Sequence, residues 1–264
     1  MKDFAHLWVK EEEDGVLVVT MKNPPVNALS TTLMGELESL VGTLKEDRGR
    51  RAVVLTGEGS YFSAGADLKE MASKVESFRQ EAESIVSRGH RVFQGLEALP
   101  QPVIAAINGL ALGGGLELSL ACDLRIAGDS AKLGATEANF GLLPAYGGTQ
   151  RLPRVVGLAK AKELIFSASM ISGTEAQRIG LVNRAVPAGQ ELRAARDLAH
   201  TVAQKAPLAI AAAKSAIHYS LDHDLVDGLA EESRRFRSEV LPSEDLLEGI
   251  SAFLERRPPK FAGK

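Results

Sequence analysis

The sequence predicts an α/β fold over its first two-thirds and an all-helical region over its last third. Three observations lead there. Short runs rich in β-forming residues recur at 7–10, 16–21, 52–56, 103–107 and 124–127, with helical patterns between several of them. From Leu192 onward the apolar spacing is helical throughout. Glycine, 25 of 264 residues, gathers in three clusters where extended chain meets the expected start of a helix. This order suggests a core of residues 1–196 and a helical appendage of residues 197–264, of the kind that packs against other subunits.

Each element has a local reason. Leu33, Leu37, Leu40, Val41 and Leu44 recur at helical spacing after Ser30, a suitable N-cap. Val75, Phe78, Ala82, Ile85, Val86 and Phe93 form the stripe of a second amphipathic helix. The apolar stretch from Val103 to Cys122 is broken by Asn108, four glycines and Glu117, so it reads as a buried strand and then a helix, not as a membrane span. Thr174 with Gln177 resembles a capping box, and Gly180 closes that short helix. Pro207 suits a first helical turn, and Ser243 before Glu244 and Asp245 suits a capped, acidic one.

Composition narrows the function classes. The chain carries 31 Lys+Arg against 34 Asp+Glu, so no broad nucleic-acid footprint is expected. Its single cysteine, Cys122, excludes an internal disulfide and a four-cysteine zinc site, and reads as a small core residue. The histidines, His6, His90, His200, His218 and His223, show no metal-ligand spacing, so no metal is expected. No apolar h-region follows the first residues and acidic residues come early, so a cytoplasmic protein is expected, with a processed organelle enzyme as the alternative.

The glycine clusters hold the chemistry. The first is residues 62–69, around Gly65; the second is residues 108–117, with Gly113, Gly114 and Gly115; the third is residues 140–150, with Gly147 and Gly148. Free N–H groups at such helix starts favour negative charge. No GxGxxG follows the early strands, and neither GxxxxGK[ST] nor GxSxG occurs, which disfavours dinucleotide, P-loop and α/β-hydrolase folds. Glu117 stands in an otherwise apolar run two residues after the triple glycine, and Glu137 lies twenty residues on, before the third cluster. A carboxylate in apolar surroundings is costly and has a raised pKa. Two of them beside glycine-rich backbone suit an acid/base pair with an oxyanion site, although Glu117 as a structural residue with a hidden partner is the competing reading.

At these residues the chain resembles the enoyl-CoA hydratase/isomerase family, the crotonases. The likeness is carried by Ser63-Ala64-Gly65-Ala66-Asp67-Leu68-Lys69, Ala105-Ala106-Ile107-Asn108-Gly109, residues 113–117 with Ala121-Cys122-Asp123, and Gly147-Gly148-Thr149-Gln150-Arg151-Leu152, and it continues to Arg257. The resemblance implies a spiral of ββα units with C-terminal helices that build a homotrimer or a hexamer of two trimers. It implies an acyl-CoA thioester substrate, with Ala66 and Gly114 N–H groups holding the thioester oxygen. Hydratases of the family carry both glutamates, whereas isomerases usually keep one. Glu117 is therefore expected to deprotonate water, and Glu137 to protonate C2, in the syn hydration of a 2-trans-enoyl-CoA, a carbon–oxygen lyase step of fatty acid β-oxidation. No cofactor is implied, because coenzyme A is part of the substrate.

Further correspondences are expectations of the same kind. Ala64, Ala66 and Leu68 match the stretch bordering coenzyme A, and Lys69 a position near phosphate. Phe253 and Arg256 match C-terminal positions that reach a neighbouring subunit's coenzyme A. Tyr146 departs from the small residue common in relatives and adds a ring near the acyl site. Residues 110–118, 161–168 and 257–259 look like the 3-methylglutaconyl-CoA hydratase branch, some of which binds RNA. The matching early helix, residues 31–47, offers Lys45 but also Glu36, Glu38 and Glu46, so RNA is not expected as a partner.

Overall fold

The computed structural model describes residues 3–73 and 75–264, and the side chains of Ser77, Phe78 and Arg79 lie outside the described residues, Phe78's expected place on a helix stripe with them. The chain opens with an antiparallel hairpin, β1 (Leu7–Glu11) and β2 (Val16–Met21), with Leu7 opposite Met21. Helix α1 (Thr31–Glu46) follows, and the Ser30 hydroxyl accepts the Leu33 N–H at 3.2 Å, the cap expected there.

From here the chain repeats two strands and a helix. β3 (Ala52–Gly57) and β4 (Tyr61–Ser63) lead to α2 (Leu68–Ser73) and α3 (Val75–Glu97). β5 (Val103–Ile107) and β6 (Leu110–Leu112) lead to α4 (Gly114–Leu120). β7 (Leu124–Gly128) and β8 (Lys132–Gly134) lead through a 3₁₀ turn, Glu137–Phe140, to α5 (Gly148–Val156) and α6 (Leu158–Ser167). The first strand of each unit enters a six-stranded sheet of order β1-β2-β3-β5-β7-β10, parallel after the hairpin, and the second enters a four-stranded sheet of order β4-β6-β8-β9. β9 (Ile171–Ser172) and β10 (Arg184–Val186) complete the two sheets on either side of α7 (Gly173–Arg178).

The cap of α7 differs from the sequence expectation. Ser172, not Thr174, stands at the N-cap and accepts the Glu175 N–H at 3.1 Å, while Gly180 does close the turn with φ 78°. The strands of the smaller sheet have no counterpart in the sequence pattern: β6 lies within the second glycine cluster and β4 ends inside the first, so Gly65 and residues 113–115 follow a short strand. Three residues are too few to show period-2 alternation.

Alternation in the larger sheet divides the core. Leu17, Val19 and Met21, with Val53, Leu55, Val103, Ala105 and Ile107, face the cluster that also takes in α1 and α3. Val16, Val18, Val54, Ile104 and Ile126 face the opposite way, onto Ala195, Ala199 and Ala203 of α8 (Glu191–Ala203). Alanines on this face let the helix backbone lie close to the sheet. The boundary expected between residues 196 and 197 falls inside α8, which is part of the sheet packing. The helices that follow are α9 (Pro207–Tyr219), α10 (Leu225–Arg235), prolonged by a π turn at Phe236–Val240, and α11 (Glu244–Glu255). Pro207 sits in the first turn of α9, and the Ser243 hydroxyl caps α11 by accepting the Leu246 N–H at 3.2 Å.

The close seat of α8 makes overpacking costly. Ala199, fully buried, is expected on replacement by Leu to lower stability by about 1–3 kcal/mol. A melting temperature within a degree of wild type would contradict this packing.

Candidate active site

Four segments meet at the end of the strand layers: the β4–α2 junction, the first turn of α4, the turn after β8, and residues 144–148 before α5. They line one cavity of about 120 Å³, which takes in Ala64, Ala66, Leu68, Gly114, Glu117, Glu137 and Tyr146. Seven of the ten residues singled out in the sequence are thus brought together. Lys69 is exposed on α2 outside the lining, and Phe253 and Arg256 lie on the surface at the end of α11, with Phe253 82% exposed.

Two residues that line the cavity carry backbone N–H groups without partners among the described residues. The Gly114 N–H is the first of α4 and has no carbonyl within its helix to bond. Ala66 pairs with Leu29 only through its neighbour, since the Leu29 N–H goes to the Gly65 carbonyl, and its own N–H has no partner among the described residues. A Cβ placed on Gly114 would stand 3.6 Å from the Ala66 nitrogen and 3.1 Å from Leu29 Cδ1. The space between the two donors is therefore kept clear by the missing side chain. Two unpaired N–H groups of residues lining one cavity suit a negatively charged oxygen.

Glu117 does have the hidden partner that its apolar run demanded. Its Oε1 accepts the Tyr146 N–H at 2.8 Å and the Gly148 N–H at 2.7 Å, the latter from the first turn of α5. Both bonds fall on one oxygen. Oε2 has no partner among the described residues, so it is available to the cavity. Burial outweighs these bonds: it pushes the carboxyl up to about 7, with the Glu137 carboxylate adding to the rise and the two N–H groups and Arg151 opposing it.

Glu137 is held differently. Both carboxyl oxygens are buried and without a hydrogen-bond partner among the described residues, and burial raises its pKa. An unpaired buried carboxylate is costly, so this group favours its protonated form or a bound polar molecule. The two environments therefore differ: one carboxyl receives two N–H groups from a distant turn, whereas the other has only its own backbone N–H to oppose the rise.

Residues to which the sequence assigns no place in the site support it. Arg151 donates to both carboxyl oxygens of Glu97 at 2.6 Å and, through Nη1, to the Tyr146 carbonyl at 2.9 Å. This pins the turn whose N–H groups grip Glu117. His90 Nε2 meets the Ala145 carbonyl at 2.8 Å and holds the same turn. Ile85 and Val86 were read as stripe residues of α3, and they form one wall of the cavity. Cys122 is buried, its thiol pushed up to about 12 by burial, in keeping with a core role.

The sequence matches the family described as enoyl-CoA hydratase/isomerase over residues 11–264, and the chain belongs to that family. A probable enoyl-CoA hydratase of Bacillus subtilis is 44% identical over 250 residues, covering 94% of this chain and 96% of the relative. The mitochondrial methylglutaconyl-CoA hydratase of Homo sapiens is 43% identical over 262 residues, covering 97% of this chain and 76% of the relative. Among solved structures, an enoyl-CoA hydratase from Bacillus anthracis superposes with a TM-score of 0.94 at 42% identity, covering 98% of this chain and all of that one. The alternating two-strand units and helical C-terminal region are thus the crotonase fold.

The buried state of Glu117 has a measurable consequence for stability. A carboxyl whose pKa rises on folding binds its proton more tightly in the folded state, so stability falls as pH climbs from 4.5 towards 7 and the loss is complete above 7. That span corresponds to roughly 3 kcal/mol. Glu117→Gln removes the titration, so its melting temperature relative to wild type is expected to be higher at pH 8 than at pH 5. A difference independent of pH would show that Glu117 is not desolvated in this way.

Proposed function

We propose that the protein is an enoyl-CoA hydratase that adds water reversibly and syn across the 2-trans double bond of an enoyl-CoA thioester, giving a 3-hydroxyacyl-CoA. The observation that carries this is the convergence of two carboxyl groups and two free backbone N–H groups on one cavity. The thioester oxygen sits between the Ala66 and Gly114 N–H groups. The electron density leaving C3 as water attacks collects on that oxygen, where the donors already point.

The difference in hydrogen bonding assigns the two carboxyl groups. Glu117, whose anion receives two N–H bonds from a distant turn, is the base, and Glu137, whose buried oxygens have no partner in any other described residue, carries the proton. A proton resident on Glu137 also removes the repulsion that adds to the rise of Glu117. Water held at Glu117 Oε2 loses a proton to it as its oxygen bonds C3. Glu137 gives its proton to C2 on the same face. The product has gained one water, Glu117 is protonated and Glu137 is ionised, and proton exchange with solvent resets them. An isomerase would need only one of these carboxyl groups, so the presence of both in one cavity favours hydration.

Ala64, Ala66 and Leu68 border the pantetheine, with Lys69 at the outer edge for phosphate. Phe253 and Arg256 serve a neighbouring subunit's coenzyme A within a homotrimer or hexamer. The support is the apolar surface of the last two helices: Leu225, Val226, Leu247, Phe253 and Leu254 are each about two-thirds or more exposed in the single chain. A cytoplasmic setting and a role in β-oxidation belong to the same proposal. RNA binding is disfavoured because α1 presents Glu36, bonded to the N–H groups of Ala5 and His6, and Glu38, facing Arg88 and Arg91.

Hydration of crotonyl-CoA, followed by loss of the conjugated thioester absorbance, tests the reading. Glu117→Gln and Glu137→Gln are each expected to lose about 10²–10⁴ in rate. Gly114→Ala puts a methyl group between the two donors and is expected to abolish turnover in a folded protein. Full activity in both glutamine variants would sink the mechanism. Light scattering is expected to give a mass three or six times that of one chain, and a stable monomer would overturn the proposed assembly.

A further inference from the structure

A second cavity, of about 500 Å³, adjoins the first and is lined by α1, α2 and α3. Ala66, Met71, Ile85 and Tyr146 line both spaces, and of these Tyr146 has the only aromatic ring. The ring is wedged in place. A Cβ on Gly89 would fall 2.6 Å from its Cε1 and 2.8 Å from its Cγ, and one on Gly114 would fall 3.5 Å from Cδ2. On another side it meets Phe93 edge-on, with centroids 5.7 Å apart and planes at 83°.

Its backbone is fixed as well. The Tyr146 N–H is spent on Glu117 Oε1 and its carbonyl on Arg151 Nη1. The ring cannot leave its place by a shift of the turn without loosening the grip on Glu117. Burial raises the phenol pKa, and both Glu117, from the inner space, and Glu70, from the outer one, add to the rise, so the side chain spans the two.

We propose that the Tyr146 ring is the partition between the two cavities and restricts the enzyme to short, uncharged enoyl groups. The inference deepens the hydratase reading and rests on it for the identity of the acyl chain. The inner space is close to the size of a cavity that takes one benzene ring, about 150 Å³. An acyl group that outgrows it must displace the ring to reach the outer cavity. That cavity is lined by Asp67, Glu70 and Glu81 against a single guanidinium, Arg88, which already faces Glu38 at 3.8 Å. A terminal carboxylate arriving there meets excess negative charge, so a carboxylated acyl group of the methylglutaconyl kind is disfavoured.

The test has a binding arm that does not depend on turnover. Binding of butyryl-CoA and octanoyl-CoA is measured by calorimetry in wild type, Tyr146→Ala, Tyr146→Leu and Tyr146→Phe. Wild type and Tyr146→Phe are expected to bind octanoyl-CoA at least about tenfold more weakly than butyryl-CoA, and Tyr146→Ala to remove most of that difference. Tyr146→Leu, which keeps an apolar filler against Phe93, serves if the alanine variant does not fold, and is expected to shift the ratio the same way. Equal binding of the two thioesters by wild type, or a ratio unmoved in the folded small variants, overturns the partition. In the kinetic arm, 3-methylglutaconyl-CoA is expected to fall at least about a hundredfold below crotonyl-CoA in kcat/KM, and parity would overturn the charge argument. Chain-length selectivity in binding with no hydration of any enoyl-CoA would sink the hydratase reading and leave the partition supported.

Discussion

The site is organised by the grip of two backbone N–H groups on one oxygen of Glu117. A carboxyl on the first helical turn after β6, 3% exposed, would be intolerable without donors. The donors come from a turn and helix start some thirty residues away, so the bond ties the second repeat unit to the third. Putting both donors on Oε1 leaves Oε2 without a partner among the described residues, free for the water of the proposed mechanism. The same contact thus carries a structural load and, in that mechanism, orients the base.

That grip demands a rigid turn at residues 144–148, and the surrounding side chains supply it. The paired guanidinium of Arg151 bonds the Tyr146 carbonyl, and His90 bonds that of Ala145. The bidentate partner Glu97 comes from the end of α3, the helix that also furnishes the Ile85 and Val86 wall. One helix therefore steadies the turn that grips Glu117 and also shapes the cavity proposed to take the acyl group. Tyr146 joins these functions, because its backbone belongs to the clamp and its ring to the wall.

Much of this was legible in the sequence, for identifiable reasons. Long strands such as β2 and β5 are buried on both faces and read as continuous apolar runs, so they stood out. Glu117 drew attention as a charge in an apolar helix, and Glu137 by its place before a glycine cluster. What stayed hidden is what sequence spacing does not encode. β4, β6 and β8 owe their existence to pairing with one another, not to any local pattern of three residues. The donors to Glu117 are backbone atoms of Tyr146 and Gly148, which leave no side-chain signature. Arg151 was visible only as part of a motif, and its pairing with Glu97 needed the fold to bring α3 across.

The pairing of Arg151 with Glu97 bears directly on the chemistry. Arg151 is one of the influences that lower the Glu117 pKa, and its side chain is only 14% exposed. An unpaired guanidinium at that place would hold Glu117 ionised so firmly that it would be a poor base, since proton affinity falls with pKa. Glu97 pairs with it through two short bonds, so Arg151 opposes the rise of Glu117 only in part while it fixes the Tyr146 carbonyl. Burial is then free to lift the carboxyl to about 7, where accepting a proton from water and returning it to solvent are both feasible near neutral pH. The cost of that burial is met by the fold as a whole: two sheets, three glycine clusters and a partly buried ion pair hold the one carboxyl in place.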